Sequence, residues 1–224
     1  MPDARDLSGP RWSSCASCAR RCFYEATDAP RLPVTDADQR RLNLRRIQND
    51  AVVVERAVQL DLAGHDVRVE REVPWPLGTG HIDLVDHTDR VVAEYTGTAG
   101  ADLPSRKVLQ VAGYALFLTR ELGEEYRAVV VSFDPLTGLE REYPVDVGFF
   151  ADEIDAIVAD LEAAIAAGEE PVRVCRTPLD GPARWCPFAS DEVCFSGWEW
   201  PTPPVLVDDD LAAAAERLAA ATDR

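Results

Sequence analysis

The sequence predicts an α/β protein: a mixed β-sheet with helices packed against it, followed by a cysteine-rich stretch of little regular pattern. Three observations carry this. Alternating, β-branched runs at 66–77 and 80–96 read as successive strands, the second of them a hairpin. Segments of helical period at 36–63, 104–122 and 152–167 frame them. The run Ala128-Val-Val-Val-Ser-Phe-Asp134 is apolar throughout, as befits a buried strand of parallel-sheet character.

Taken in order, residues 1–12 are a lead-in, and 13–27 form a turn running into a short helix that Pro30 and Pro33 end. Thr35 or Asp36 caps a long helix stopped by Gly64, with Leu42, Leu44, Ile47, Ala51, Val54, Val58 and Leu62 as its apolar stripe. Glu55 follows three valines on that helix, an apolar setting for an acid. After the strand at 66–77, the hairpin turns at Asp86-His-Thr-Asp89 and supplies Ile82, Leu84, Val92 and Tyr95 as buried material. Pro104 opens a helix reaching Leu122, on which Lys107, Gln110 and Tyr114 share a face at i, i+3 and i+7. An edge strand at 139–145 follows the Pro135–Gly138 turn, and the helix at 152–167 ends at Gly168. The organisation is a lead-in with the first cysteines (1–35), a core (36–168), a cysteine-rich region (169–204) and an acidic, alanine-rich helix (205–224), a solvated or partner-facing tail.

The net charge of −17 argues against a broad basic surface for gripping duplex nucleic acid and leaves room for a small local groove. Arginines concentrate in the first quarter, and Lys107 is the only lysine. No apolar run approaches a membrane span and the N-terminus has no signal-peptide core, so no membrane role and a cytoplasmic location are expected. Six cysteines lie in two groups, Cys15, Cys18 and Cys22, then Cys175, Cys186 and Cys194, a grouping that favours a metal or cluster site over disulfides.

The hairpin carries the chemistry. Asp83 begins one strand and Glu94 ends its antiparallel neighbour, so the two carboxylates converge. Two acids held together repel unless a cation lies between them, and oxygen ligands suit Mg²⁺ or Mn²⁺. Two solvated strand acids are the alternative from these residues alone.

Several short motifs then combine: Cys18-Ala-Arg-Arg-Cys-Phe-Tyr24, Glu55, Gly80-His-Ile-Asp83, Glu94-Tyr-Thr96, Gln110-Val-Ala-Gly-Tyr114 and the terminal cysteines. Together they resemble the PD-(D/E)XK nuclease superfamily, in its RecB-like branch with an iron–sulfur cluster, which includes AddB-type subunits and the exonuclease of CRISPR spacer acquisition. The resemblance implies a restriction-endonuclease-like core and cleavage of DNA, at single strands or ends. It implies that Asp83, Glu94 and the Tyr95 carbonyl bind the metal, that Glu55 completes the shell, and that Gln110 and Tyr114 orient DNA or the attacking water. It also implies a [4Fe–4S] cluster on Cys18, Cys175, Cys186 and Cys194, joining the chain ends. Under this reading Arg20, Arg21, Arg45 and Arg46 contact the DNA backbone.

Two departures stand out. The family's catalytic lysine, two positions after the acid, is Thr96 here. Either Lys107 replaces it or the chemistry is lost, leaving a nuclease-fold subunit that binds DNA or protein, such as a basic partner, in a defence, repair or recombination assembly. The terminal cysteines are also more widely spaced than the family's, which keeps Zn²⁺ and a zinc-stapled interaction protein as alternatives.

Overall fold

The computed structural model describes residues 9–33, 35–177, 183, 186–190 and 192–197, apart from the side chains of 36–38. The acidic helix expected at 208–221 lies outside them. The elements are α1 (Trp12–Cys15), α2 (Ala19–Ala26), α3 (Asp36–Leu62), β1 (Val67–Trp75), β2 (Gly78–Asp86), β3 (Val91–Gly97), a 3₁₀ turn (Ala99–Ala101), α4 (Ser105–Leu122), β4 (Arg127–Phe133), β5 (Glu140–Val145) and α5 (Val147–Ala167). The strands lie side by side in chain order. All neighbours are antiparallel except β3 and β4, which run parallel and therefore need the α4 crossover between them. No described helix is long and apolar enough to cross a membrane.

Each sheet face buries its own set of side chains. On one face Val85, Val92 and Val130 pack with Val111, Ala115 and Leu118 of α4 and Ile154, Val158 and Leu161 of α5. On the other, Leu84, Ala93, Tyr95 and Val131 meet Val53 and Ala57 of α3. Val130 and Val131 thus serve opposite faces, which is why the β4 segment reads as an unbroken apolar run. Helix α5 begins at Val147, about a turn before the sequence suggests, because the Asp146 carboxylate accepts the Phe149 N–H and caps it.

The α3 stripe reverses the usual orientation of an amphipathic helix. Val53 and Ala57 face the sheet, while Leu44, Ile47, Val54, Val58 and Leu62 are 62, 64, 51, 52 and 82% exposed. Two faces of this helix carry apolar residues, and the sheet takes the one with the smaller side chains. Residues 39–48, the front of the helix, are exposed throughout.

One irregularity marks the middle of the sheet. The β1–β2 pairing lapses between Val69↔Leu84 and Arg71↔Ile82, opposite Asp83, and Glu70 there has φ of +53°. Ile82 and Leu84, two residues apart, pack on opposite faces, which a continuous pleat does not allow. A non-glycine residue in the left-handed region costs on the order of 1–3 kcal/mol, and such strain gathers at functional sites.

The N-terminal helices are clamped to α4. Trp12 is fully buried, donates its indole N–H to the Gln110 carbonyl at 3.0 Å, and lies across Gly113. A Cβ on Gly113 would fall 2.2 Å from the indole. Alanine normally stabilises a helix interior over glycine by about 0.5–1 kcal/mol. Here the sign should invert: Gly113→Ala is expected to cost about 1–3 kcal/mol through overpacking, measured by urea unfolding. A variant as stable as the parent would refute the clamp.

Candidate metal centre and its groove

Strands β2 and β3 form a fork. They pair at Asp86↔Val91, Val85↔Val92 and Leu84↔Ala93, and beyond that β3 continues against β4 alone, as far as Gly97↔Phe133. In the fork, carboxylates take the place of ladder bonds. The Asp83 N–H donates to Glu94 Oε1 at 3.3 Å, and the Tyr95 N–H donates to Asp83 Oδ2 at 2.8 Å. The sheet thus brings the two predicted acids together.

Helix α4 supplies what faces them. Lys107 Nζ and Gln110 Nε2 both donate to Glu94 Oε2, at 2.8 and 2.6 Å. The i, i+3 spacing that places Lys107 and Gln110 on one helix face is what lets both reach one oxygen. Glu94 is 1% exposed. Burial, reinforced by the neighbouring Asp83, pushes its carboxyl up to about 8 despite the Lys107 ammonium. Asp83 is likewise raised by burial, against the pull of Lys107 and the Tyr95 N–H. For Lys107, burial alone would favour the neutral amine, but Glu94 and Asp83 outweigh it and hold the side chain charged. Thr96 is half-buried on the wall of an adjoining groove.

The remaining predicted residues divide. Tyr114 is buried, not presented at the surface, and stands over Gly80, where a Cβ would come 2.4 Å from its ring. The Gly-x-Ile-Asp and Gln-x-x-x-Tyr motifs are therefore two sides of one contact. Burial and the Glu94 charge raise the Tyr114 phenol, while Ser13 and the His81 main chain hydrogen-bond with it. Tyr95 packs its ring toward α3. Glu55 is not brought to the pair: two residues from both Val53 and Ala57, it leaves α3 on the side away from the sheet and is exposed. Asn49, four residues before Val53, reaches Asp83 Oδ2 instead, at 3.5 Å. No sequence signal singles out Asn49 beyond its helical phase with Val53.

A groove of about 580 Å³ opens beside the acids, lined by Arg45, Arg46, Asn49, Thr96, Arg106 and Lys107 among others. An acidic protein thus concentrates four cations along one cleft. Arg20 and Arg21 lie elsewhere, paired with Glu170 and Glu25.

Cys18, Cys175, Cys186 and Cys194 line a single pocket of about 100 Å³, with Arg21, Tyr24, Arg106, Arg173 and Phe195 also on its walls. Burial raises the thiols of Cys186 and Cys194. Cys15 and Cys22 are separate, buried in the core beside Trp12, and the Cys22 thiol is raised chiefly by its hydrogen bond with Cys15. Contacts tie this region to the chain's start: the Leu32 N–H donates to the Pro187 carbonyl at 2.6 Å, and the Tyr24 and Phe188 rings are 5.4 Å apart.

Among the described residues, the group whose ligand atoms all lie within 4.8 Å of one another is His65, Asp86 and Asp89, at the far end of the hairpin. His65 Nδ1 is 2.8 Å from Asp86 Oδ2, and Asp86 Oδ1 accepts the N–H groups of Thr88 and Asp89. The donor set is compatible with a divalent ion, and the same bonds close the turn. Sequence reading treated these acids only as turn residues; the clue was a histidine just ahead of the strand that pairs with Asp86.

No family model matches the chain, and no curated protein matches it. Among solved structures it is similar to a protein named SSO0001, with a TM-score of 0.49 and 16% identity over 84% of this chain and 87% of that one. It is also similar to an alkaline exonuclease, LHK-Exo, from Laribacter hongkongensis, with a TM-score of 0.42 and 15% identity over 73% of this chain and 93% of that one.

The raised Glu94 carboxyl has a measurable consequence. Between the unfolded value near 4.5 and the folded value near 8 the native protein binds the extra proton, so metal-free stability should fall as pH rises through that window. A divalent ion held by Glu94 would have to displace that proton. Mg²⁺ or Mn²⁺ affinity, by calorimetry, should therefore rise up to about tenfold per pH unit from pH 6 towards 8 and level off above. An affinity flat across this range would show that Glu94 does not hold the proton.

Proposed function

We propose that the protein is a Mg²⁺- or Mn²⁺-dependent DNA nuclease in which Lys107, delivered from α4, takes the part of the lysine missing at Thr96. The observation that carries this reading is the Lys107 ammonium 2.8 Å from Glu94 Oε2, in the same fork as Asp83. Two carboxylates and an ammonium meet at one point although the sequence order is broken.

The residue roles follow from that arrangement. Asp83 and Glu94, with the Tyr95 carbonyl, would hold the divalent ion. When bound, such an ion supplies a hydroxide at neutral pH and cover for charge on the phosphate. Lys107 adds a fixed positive charge where the phosphate's negative charge grows, a role threonine cannot fill. Gln110 orients Glu94 through its amide, and Tyr114 fixes the Gly80 backbone that leads to Asp83. Arg45, Arg46 and Arg106 face the groove as phosphate contacts. A narrow groove with four cations on a chain of net charge −17 favours a single strand or a strand end over a long duplex.

A second reading has its own observation: Lys107 is already satisfied by Glu94 and neutralises the acid pair without a metal. On that reading the chain is a non-catalytic nuclease-fold subunit. Cleavage of labelled single-stranded DNA with Mn²⁺ separates the two. Activity should vanish in Asp83→Asn and Glu94→Gln, and fall by about 10²-fold or more in Lys107→Met. Full activity in Lys107→Met would sink the relocated lysine; an inactive parent that binds DNA in Mn²⁺ would establish the second reading.

The four cysteines that line one pocket are the candidate ligands of a [4Fe–4S] cluster, with a zinc ion as the alternative. Arg21, Arg106 and Arg173 offset the thiolate charge. Purified protein should be brown with broad visible absorbance, lost in Cys186→Ser and kept in Cys15→Ser. Colourless protein containing stoichiometric zinc would overturn the assignment.

A further inference from the structure

The exposed stripe on α3 is the largest feature that the proposed chemistry leaves unused. At 100° per residue, Leu44, Ile47, Ala51, Val54, Val58 and Leu62 fall within an arc of about 80°, centred about 120° round the helix from the Val53 and Ala57 face that meets the sheet. From Leu44 to Val58 the spacing alternates three and four, the heptad pattern by which one helix seats another. The stripe runs about 27 Å along a 27-residue helix. So long an apolar line in water marks an interaction surface.

The charges beside it select the occupant. Arg40 lies in line with the stripe one turn before Leu44, with Arg41 beside it, and Glu55 and Asp61 border the stripe towards its end. A second copy laid parallel would set arginine against arginine and acid against acid. Laid antiparallel, it sets the arginines of each copy against the acids of the other, at both ends at once, as a two-fold axis requires. We infer that the protein forms a homodimer through antiparallel pairing of two α3 helices along this stripe. Arg45 and Arg46 lie on the groove side of the helix, so the pairing leaves the groove open. The inference is independent of the nuclease reading, and its test involves neither metal nor DNA.

Light scattering on the full chain at about 1 to 100 μM should give a mass rising towards twice the 24.6 kDa of one chain. Val54→Asp with Val58→Asp should hold it monomeric, with circular dichroism and melting temperature unchanged because both sites are already exposed. Arg40→Glu with Arg41→Glu should weaken dimerisation about tenfold or more, and adding Glu55→Arg with Asp61→Arg should restore it. A single-chain mass at every concentration, or a dimer that survives the aspartates, would overturn the proposal. Failure of the compensating charges to restore the dimer would overturn the antiparallel arrangement.

Discussion

The buried Glu94 carboxylate is the constraint around which this protein is arranged. A carboxyl group with 1% exposure in the middle of a sheet must be neutralised, hydrogen-bonded or protonated. Here a countercharge and hydrogen bonds converge: an ammonium and an amide from α4 meet one oxygen, a strand N–H meets the other, and burial still raises the carboxyl above its ordinary range. The β2–β3 fork, the inward course of the only lysine and the slipped pleat at Glu70 all surround this one group.

Much of this was legible from the chain. The hairpin announced itself through β-branched alternation and a polar turn, and strand geometry then put Asp83 opposite Glu94. The helical phase put Lys107 and Gln110 on one face of α4, and the fold turned that face towards Glu94. Tyr114 shares that phase and is buried with its ring over Gly80. The four cysteines that came from the resemblance line one pocket.

What escaped the sequence has a physical explanation in each case. The α3 segment offers two apolar faces, and hydropathy prefers the one with the larger side chains, whereas the sheet accepts the one that fits closely. That choice turned Glu55 outward and brought in Asn49, a residue with no distinguishing pattern. Arg20 and Arg21 pair with nearby acids, and only the fold reveals those neighbours. The His65–Asp86 contact joins residues 21 apart through strand pairing, beyond the reach of any local rule.

The Trp12 indole holds the main-chain carbonyl of Gln110, and the Gln110 side chain holds Glu94. The segment that carries Cys18 is in this way a buttress for the acid pair, acting through one residue of α4 and touching neither carboxylate. Trimming the chain past that tryptophan would misalign the centre while leaving every oxygen donor in the polypeptide.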